Sequence, residues 1–320
     1  MRTFLFLALF GAIASAQIRE VHFQGNLTPL NIMPTFDRGY TAVYDRDPGA
    51  DAYLVSVDLY SSEGSLVYRA SAHAPDGSRV SISNVAVDSD GSLAAAVDYK
   101  MPCQAPENGV APRRAGGIAL IDRTGNQSGF IDTGCNYWTT QVAFGLDHSI
   151  WTLGYLGNAK RDLAADYLTL RHYSPAGQEL GAFLSRDSFP HPSDAHMEPL
   201  ILPETGLWSL RVVNEQVEVM LPRADLWIEV SPDGREKGRW PTGQGARPFA
   251  FTADGRAWRQ AGEKLMVFDR SSGAWTKSGL QGINGHLIGG DGNSLIFLMA
   301  DAQTVGWVTA PMRAALTAKN

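Results

Sequence analysis

Polar side chains recur along the chain at a fixed distance before a turn-forming acidic residue. Asn84, Gln141 and Glu198 each stand six positions before such a residue. If the segments around them repeat one structural unit, these three side chains form a polar ring. Carboxylate and amide oxygens can hold a hard divalent cation such as calcium, which would polarise a carbonyl group and activate water. No Asp occupies the aligned positions, so the ring offers one carboxylate ligand.

The same alignment adds two positions near the end of the chain. A Pro or a Gly occupies the aligned place there, with Arg247 and His286 beside it. A polar ring around an open channel also has an ordinary explanation, because amide side chains satisfy backbone groups and ordered water. The spacing therefore leaves two interpretations open: a metal site with Glu198 and Asn84 as ligands, or a ring without a metal.

The segment FPHPSDAHMEP, residues 189–199, is a second place that is rich in titratable side chains. His191, Asp194 and His196 lie there, just before Glu198. Imidazole and carboxylate groups can bind zinc or transfer protons. Their spacing matches no established metal motif, and a solvated Pro-rich loop is the alternative. Nucleophilic catalysis has no support, because no Gly-x-Ser-x-Gly sequence surrounds any Ser.

An aromatic pair, Tyr137 and Trp138, stands at a predicted passage between two repeats. Exposed aromatic rings with a polar edge are suited to binding a peptide or a glycan. Together with Arg113, Arg114 and the loop 185–197 they form a candidate contact surface. The alternative is that these rings pack between neighbouring sheets, as most aromatic strand residues do.

Ten segments share one pattern, in which a turn rich in Gly, Asp or Ser separates two short apolar runs. Each is typical of a β-hairpin, and the turns form two alternating sets, each recurring roughly every 40 to 60 residues. Two hairpins per repeat give a four-stranded antiparallel sheet, which predicts an all-β fold, a β-propeller. The first set comprises NVAVDSDGSLAAAV, QVAFGLDHSIWTLG, EPLILPETGLWSLRV, PFAFTADGRAWRQ and GHLIGGDGNSLIFLM. The second set comprises VSVDLYSSEGSLVYRA, IALIDRTGNQSGFID, LTLRHYSPAGQELGAF, LWIEVSPDGREKGRW and LMVFDRSSGAWTKSG.

The count of repeats predicts a six-bladed β-propeller in a single domain, residues 17–312. The first blade would run from about Leu27 to Ala70, with LNIMP and GYTAVYD as its inner strands. The last blade lacks a fourth strand of its own. We predict that IREVHF, from Ile18, supplies it, so that the N-terminal strand closes the ring and removes exposed sheet edges.

The connections between strands predict which face of the propeller carries the site. In a four-stranded meander the turns after strands one and three lie on one face, and the remaining connections lie on the opposite face. We call these the tight-turn face and the long-loop face. Binding residues concentrate on long loops over a rigid scaffold, so we assign the site to the long-loop face. Its predicted connections are 71–83, 100–115, 156–166, 185–197 and 214–224.

The only two cysteines, Cys103 and Cys135, both fall on predicted connections of the long-loop face. In an oxidising compartment such a pair tends to oxidise. We therefore predict a disulfide between them, with two unpaired thiols as the alternative.

The ends of the chain predict its location, and its charge limits the classes of partner that it can bind. A charged start, a short apolar run and Ala-Ser-Ala before Gln17 predict a signal peptide over residues 1–16, and hence a secreted or periplasmic protein. Residues 313–320 would form a C-terminal tail. With 33 acidic and 27 basic residues and no block of like charge, the chain is poorly suited to nucleic acid. No membrane insertion is expected, and we expect a monomer.

The repeats VAVDSDGSLAAAV and FAFTADGRAW resemble those of six-bladed propellers of the NHL-repeat, TolB-like and gluconolactonase-like kind. The resemblance covers most of residues 18–311 and concerns the repeat pattern. It implies the fold, but such families include lactonases, streptogramin lyases, carbohydrate or peptide binders and scaffolds. Gluconolactonase-like propellers hold one divalent cation with Glu, Asn and Asp side chains, and Glu198, Asn84 and Gln141 match that set only in part.

These observations favour an exported, non-enzymatic propeller that needs no cofactor. Its long-loop face would bind a peptide, glycan or protein partner. The alternative is a metal-dependent hydrolase, lactonase or lyase with its site at the channel mouth and one divalent cation such as calcium.

Overall fold

The computed structural model describes residues 18–28, 34–46, 54–99, 115–155, 166–189, 210–221, 225–243, 249–280 and 282–310. Within these ranges 24 strands form six four-stranded antiparallel sheets, and a 3₁₀ turn at Arg186–Ser188 is the one helical element. The predicted all-β, six-bladed propeller is confirmed. Among the described residues, no helix has the length and apolar character needed to cross a membrane.

Each blade is a meander whose strands run in order from the channel to the rim, and β1 (Ile18–His22) is the outer strand of the last blade. Blades 1 and 2 contain β2 (Thr35–Asp37), β3 (Tyr40–Arg46), β4 (Leu54–Ser61) and β5 (Leu66–Ser71), then β6 (Val80–Val87), β7 (Leu93–Tyr99), β8 (Ala115–Ile121) and β9 (Gln127–Gly134). Blades 3 and 4 contain β10 (Trp138–Phe144), β11 (Ile150–Tyr155), β12 (Leu168–Tyr173) and β13 (Glu179–Ser185), then β14 (Leu210–Val213), β15 (Gln216–Leu221), β16 (Leu226–Val230) and β17 (Glu236–Trp240). Blades 5 and 6 contain β18 (Phe249–Phe251), β19 (Ala257–Ala261), β20 (Lys264–Asp269) and β21 (Ala274–Lys277), then β22 (Gly285–Asp291), β23 (Ser294–Met299) and β24 (Thr304–Thr309).

The two ends of the described chain close the ring. Strand β1 pairs antiparallel with β24, from Ile18 opposite Val308 to His22 opposite Thr304. This confirms the prediction that the N-terminal strand completes the last blade. Pairing the ends covers the edge of β24, which would otherwise present unpaired backbone groups.

Most hairpin turns form where the sequence predicts them, because Asp and Gly supply the chemistry they need. In the turn between β6 and β7, the Asp90 carboxylate accepts the backbone N–H of Ser92 at 2.9 Å. Gly91 adopts a φ of 84°, a left-handed conformation that costs Gly little. Gly234, in the second hairpin of blade 4 between β16 and β17, has a similar φ of 83°.

The first hairpin of blade 4 differs from the prediction. The sequence pattern places its turn at Glu204 and treats 214–224 as a long connection, but the turn lies at Asn214 and Glu215, between β14 and β15. Both residues have left-handed φ angles, 49° and 66°, as a two-residue hairpin turn requires. The alignment of Glu198 with Asn84 and Gln141 rested on the turn at Glu204, and it is therefore wrong.

Blade 1 also differs from the prediction in its innermost strand. The sequence pattern assigns LNIMP, which ends at Pro34, to this strand. The structure begins the strand at Thr35 and ends it at Asp37, while GYTAVYD lies in β3 as predicted. Residues 29–33 lie outside the described ranges.

The core lies between neighbouring blades rather than in one central layer. Between blades 1 and 2 it consists of small and branched side chains such as Val57, Leu59 and Val85. Between blades 4 and 5 it is aromatic and centres on Trp227, which is fully buried and packs against Phe268 with ring centroids 5.0 Å apart.

Buried carboxyl groups accompany the aromatic core of blades 4 and 5. Glu218 and Glu229 lie directly opposite each other on β15 and β16. The Trp227 indole N–H donates to Glu218 at 2.6 Å, and Arg270, from blade 5, forms an ion pair with Glu229. Burial is the main cause that raises the pKa of Glu218 to about 8, and the negative charge of Glu229 adds to it. We call these four residues the carboxyl pair cluster.

Candidate functional site

Two members of the predicted polar ring, Asn84 and Gln141, lie side by side in neighbouring blades. Each follows directly after a β-bulge in the innermost strand of its blade. The side-chain oxygen of Asn84 accepts the backbone N–H of Val142 at 3.0 Å, so it joins blade 2 to blade 3. Both side chains are buried, and the amide nitrogen of Gln141 has no hydrogen-bond partner among the described residues. Asn84 therefore satisfies a backbone group, which is the ordinary explanation for a polar ring.

Among the remaining predicted ring and loop residues, His286 is the one that the described ranges contain. His286 is exposed on β22. Within the described ranges, no group of three or more His, Cys, Asp or Glu side chains is placed to hold a metal ion. The proposed metal site with Glu198 stays a prediction. Glu198 lies outside the described ranges, and so do Arg113, Arg114, His191, Asp194, His196 and Arg247.

The predicted aromatic platform is mostly internal. Tyr137 is fully buried, and its hydroxyl group donates to the backbone oxygen of Thr169 at 2.9 Å. The guanidinium of Arg171 covers its ring at 4.1 Å. Trp138 is half-buried and packs against Tyr155, with ring centroids 5.3 Å apart. Tyr137 thus presents no surface to a partner, and its hydroxyl group and ring contact other residues of blade 3.

Cys135 lies on the passage from β9 to β10, on the long-loop face as predicted. Its side chain is half-buried against the core between blades 1 and 2. Cys103 lies outside the described residues, so the disulfide stays a prediction.

The channel mouth on the tight-turn face is crossed by an arginine that the sequence reasoning missed. Arg211, in β14 of blade 4, forms an ion pair with Asp37 of blade 1 at 2.8 Å. It also donates to the backbone oxygen of Phe36 at 3.0 Å. Blades 1 and 4 lie on opposite sides of a six-bladed ring, so this guanidinium spans the channel.

A second arginine ties three blades together at the same mouth. Arg38 of blade 1 donates to Asp88 of blade 2 at 2.7 Å and to the backbone oxygen of Phe144 of blade 3 at 2.7 Å. The other oxygen of Asp88 lies 2.6 Å from Nδ1 of His148, in blade 3. The hydrogen bond to Asp88 raises the pKa of His148. We call Arg38, Asp88 and His148 the three-blade clasp.

Two glycines bring the innermost strand of blade 6 unusually close to its neighbours. A Cβ atom on Gly290 would lie 2.1 Å from the backbone oxygen of Phe251 in blade 5, and one on Gly289 would lie 2.5 Å from that of Phe36 in blade 1. No side chain fits at such distances. The IGGDGN segment lies in the hairpin of β22 and β23, as predicted. Because its glycines allow this close packing, Asp291 lies at the channel mouth.

These contacts leave a depression of about 230 Å³ at the channel mouth, the central depression. Its charged lining residues are Asp37, Arg38, Arg211 and Asp291, and Leu146 contributes an apolar side chain. Three of the four charged groups have partners, since Arg211 pairs with Asp37 and Arg38 pairs with a carboxylate of blade 2.

Asp291 is the exception among these charged groups. Within the described ranges, its carboxylate has neither a hydrogen bond nor an ion pair. Partial burial raises its pKa, Arg19 opposes the rise, and the negative charge of Asp37 adds to it. The mouth thus contains one acidic group whose charge the protein does not compensate by direct contact.

The sequence held a signal for this mouth, although the prediction placed the site on the opposite face. Arg38 and Asp291 both stand within or beside a Gly-containing turn after an innermost strand. In a propeller these turns surround the channel. Charged residues at such turns therefore indicate the channel mouth, even when the turns are short.

Comparison with known proteins identifies no family. No family model matches the chain, and no curated protein does. A catalytically inactive variant of virginiamycin B lyase from Staphylococcus aureus, solved with quinupristin, is similar at 12% identity and a TM-score of 0.46, covering 92% of this chain and 99% of its own. A streptogramin B lyase structure is similar at 12% identity and a TM-score of 0.46, covering 92% and 98%. A protein of unknown function from Bacteroides thetaiotaomicron is similar at 10% identity and a TM-score of 0.49, covering 92% and 76%.

Proposed function

We propose that this propeller is a non-enzymatic binding protein that takes a basic side chain of a partner peptide or protein into the central depression. The observation that carries the proposal is Asp291, a partly buried carboxylate without a direct partner. A Lys or Arg side chain would supply the missing charge and several hydrogen-bond donors.

The size of the central depression supports a single side chain as the occupant. Its volume of about 230 Å³ is below the range of roughly 300–1,000 Å³ that is usual for small-molecule sites. The apolar stem of a long basic side chain also needs an apolar contact. Leu146, which is 59% exposed at the rim, offers one.

The charges around Asp291 support a cation rather than an anion. Arg38 and Arg211 are held by carboxylates and backbone oxygens, so their charges are already compensated. The net charge of the chain, −6, favours encounter with basic partners as well. Binding of this kind needs no cofactor.

Export stays part of the proposal, but the proposed site lies on the tight-turn face, and the predicted contact surface on the long-loop face stays a separate prediction. The signal peptide and most long connections lie outside the described residues. A secreted or periplasmic location is consistent with a partner peptide that is met outside the cytoplasm.

The test measures binding of dye-labelled peptides by fluorescence anisotropy. The peptides carry one Lys on a Ser-Gly background, and an acetyl-lysine version removes the charge. The variant is Asp291→Asn, which keeps the shape of the side chain. The matched control is Asp76→Asn, an equal charge change at an exposed turn Asp in the connection between blades 1 and 2.

We expect Asp291→Asn to weaken binding of the Lys peptide at least tenfold and Asp76→Asn to leave it unchanged. The acetylated peptide should bind no better to the wild type than to Asp291→Asn. Equal effects of the two substitutions, or equal binding of the Lys and acetyl-lysine peptides, would overturn the proposal.

A further inference from the structure

A second concavity, the inter-blade groove, lies on the tight-turn face between blades 2 and 3. Its volume is about 400 Å³. Buried apolar side chains line it from both blades, Leu93 and Ile121 from blade 2 and Phe144 and Ile150 from blade 3, together with the buried carboxylate of Asp88. Leu120 and Pro175 extend this apolar surface outward. The groove is therefore large enough for one bulky apolar side chain and has the lining to hold it.

The rim of the groove is acidic. Asp88, Asp90 and Asp122 face Arg123 and His148 around it. Arg38 compensates the charge of Asp88. Asp90 and Asp122 accept hydrogen bonds within their own turns, which lowers the pKa of each. While His148 is neutral, Asp90 and Asp122 therefore outnumber Arg123 at the rim, and this excess of negative charge complements a basic segment rather than an acidic one.

One turn separates the inter-blade groove from the central depression. Between β10 and β11, Leu146 lines the depression, while Phe144 and His148, on either side of it, line the groove. His148 has a left-handed φ of 63°. Since the two concavities share this single turn as their wall, one extended peptide can reach both. The exposed Leu146 side chain forms the ridge between them.

We propose that the inter-blade groove takes an apolar side chain from the same partner segment whose basic side chain enters the central depression. The protein then recognises a short peptide by one basic and one apolar residue. This inference rests on the proposed function and adds the class of sequence that is recognised. Two contacts on one chain reinforce each other, because the second contact forms at a high effective concentration.

The test uses a groove-filling substitution at the surface. Ser128 is exposed on β9, lines the groove and donates its hydroxyl to the backbone oxygen of Leu120. Ser128→Trp should fill the groove without disturbing the core. Thr276→Trp is the matched control, because Thr276 is exposed on the equivalent outer strand of blade 5 and also donates to a neighbouring backbone oxygen.

The probes are dye-labelled Ser-Gly peptides that contain Lys alone, Leu alone, or both at separations of up to about six residues. We expect the best two-residue peptide to bind the wild-type chain at least tenfold more tightly than the Lys peptide, as burial of one Leu side chain predicts. Ser128→Trp should abolish the gain from Leu and keep the gain from Lys. Thr276→Trp should keep both.

The outcomes separate this inference from the proposed function. If Leu adds nothing at any separation, or adds as much in Ser128→Trp as in the wild type, the inference is overturned while the Lys dependence on Asp291 can stand. If Ser128→Trp instead dissociates a dimer in sedimentation of the unliganded chain, the groove belongs to a second copy and the inference is again overturned.

Discussion

Among the described residues, buried charge joins neighbouring blades at the three-blade clasp and at the carboxyl pair cluster, and the two differ in which charge is in excess. The three-blade clasp surrounds one carboxylate, Asp88, with a guanidinium and an imidazole. In the carboxyl pair cluster two carboxyl groups, Glu218 and Glu229, share one guanidinium. The first arrangement has an excess of cationic groups, and the second has an excess of acidic ones.

The excess determines which group titrates. In the clasp the hydrogen bond to Asp88 raises the pKa of His148, so the imidazole holds its proton more strongly. In the cluster, burial and the neighbouring carboxylate raise the pKa of Glu218 to about 8. A seam between blades can therefore contain charge, but a surplus carboxyl group in it destabilises the fold less when it carries a proton.

The largest effect should come from removing the aromatic centre of the cluster. Trp227→Ala is expected to cost about 3–5 kcal/mol of unfolding free energy, because it opens a cavity and removes the N–H donor of Glu218. Urea unfolding measures the cost. Trp275→Ala is the matched control, since Trp275 is only half-buried in the same aromatic core. An equal loss from both substitutions would show that burial of Trp227 is not decisive.

The next largest effect should come from breaking the clasp. Arg38→Met keeps the apolar stem but leaves the imidazole of His148 as the one cationic partner of the buried Asp88 carboxylate among the described residues, so we expect a loss of about 2–4 kcal/mol in urea unfolding. Arg38→Lys keeps the charge but loses the contacts with the backbone oxygens of blade 3. Its unfolding free energy should lie between that of the wild type and that of Arg38→Met. If Arg38→Met were neutral, the contacts of Arg38 with blades 2 and 3 would be dispensable.

The carboxyl pair cluster should make stability depend on pH. Glu218 has an ordinary pKa of 4.5 and a folded-state pKa of about 8, so the folded state binds the extra proton between these values. The contribution of this bound proton to the unfolding free energy is complete below pH 4.5 and is lost as the pH rises toward 8. Unfolding free energy measured from pH 5 to 8 should therefore fall, and Glu218→Gln should flatten this fall and stabilise the chain at pH 8 by about 1–3 kcal/mol.

Two further variants show whether the pH dependence comes from the carboxyl pair cluster: one in the cluster itself and one in the three-blade clasp. Glu229→Gln removes the other carboxyl group and leaves Arg270 facing Glu218 alone. This variant should flatten the pH dependence as well, since one carboxylate and one guanidinium then remain. His148→Gln, in the clasp, should leave the fall between pH 5 and 6 in place. A wild-type chain whose stability rises over this range would contradict the assignment.

The strands could be predicted because their signals are local. In NVAVDSDGSLAAAV the β-branched runs and the Asp-Gly turn agree, and β6 and β7 form there. Blade 4 misled the same reasoning because Pro-Glu-Thr-Gly has turn chemistry, whereas the actual turn at Asn214 and Glu215 contains no Gly. Asn tolerates a left-handed φ, so a turn of this kind gives a weak sequence signal.

The candidate site could be predicted much less well because it depends on ring closure. Arg211 reaches the backbone oxygen of Phe36, which is 175 residues away in the chain. No periodicity connects two such positions. The sequence analysis grouped polar residues by alignment instead, and this found Asn84 and Gln141 as neighbours but gave no information on Arg38 and Arg211 at the channel mouth.

The smallest effect is expected at an exposed ion pair. It tests whether the contribution of a charged pair to stability depends on burial rather than on the geometry of the pair. Glu236 and Arg239 form a two-pronged pair, with contacts of 2.9 and 2.7 Å, but each side chain is more than a third exposed. Glu236→Gln should lower the unfolding free energy by at most about 1 kcal/mol. This loss should be smaller in about 0.5 M salt, because salt screens exposed ion pairs. The cost of Arg38→Met should not respond to salt in this way, since Asp88 is almost wholly buried. Equal salt dependence of the two losses would mean that the clasp behaves as a surface pair, and the contrast between buried and exposed charge in this ring would then fail.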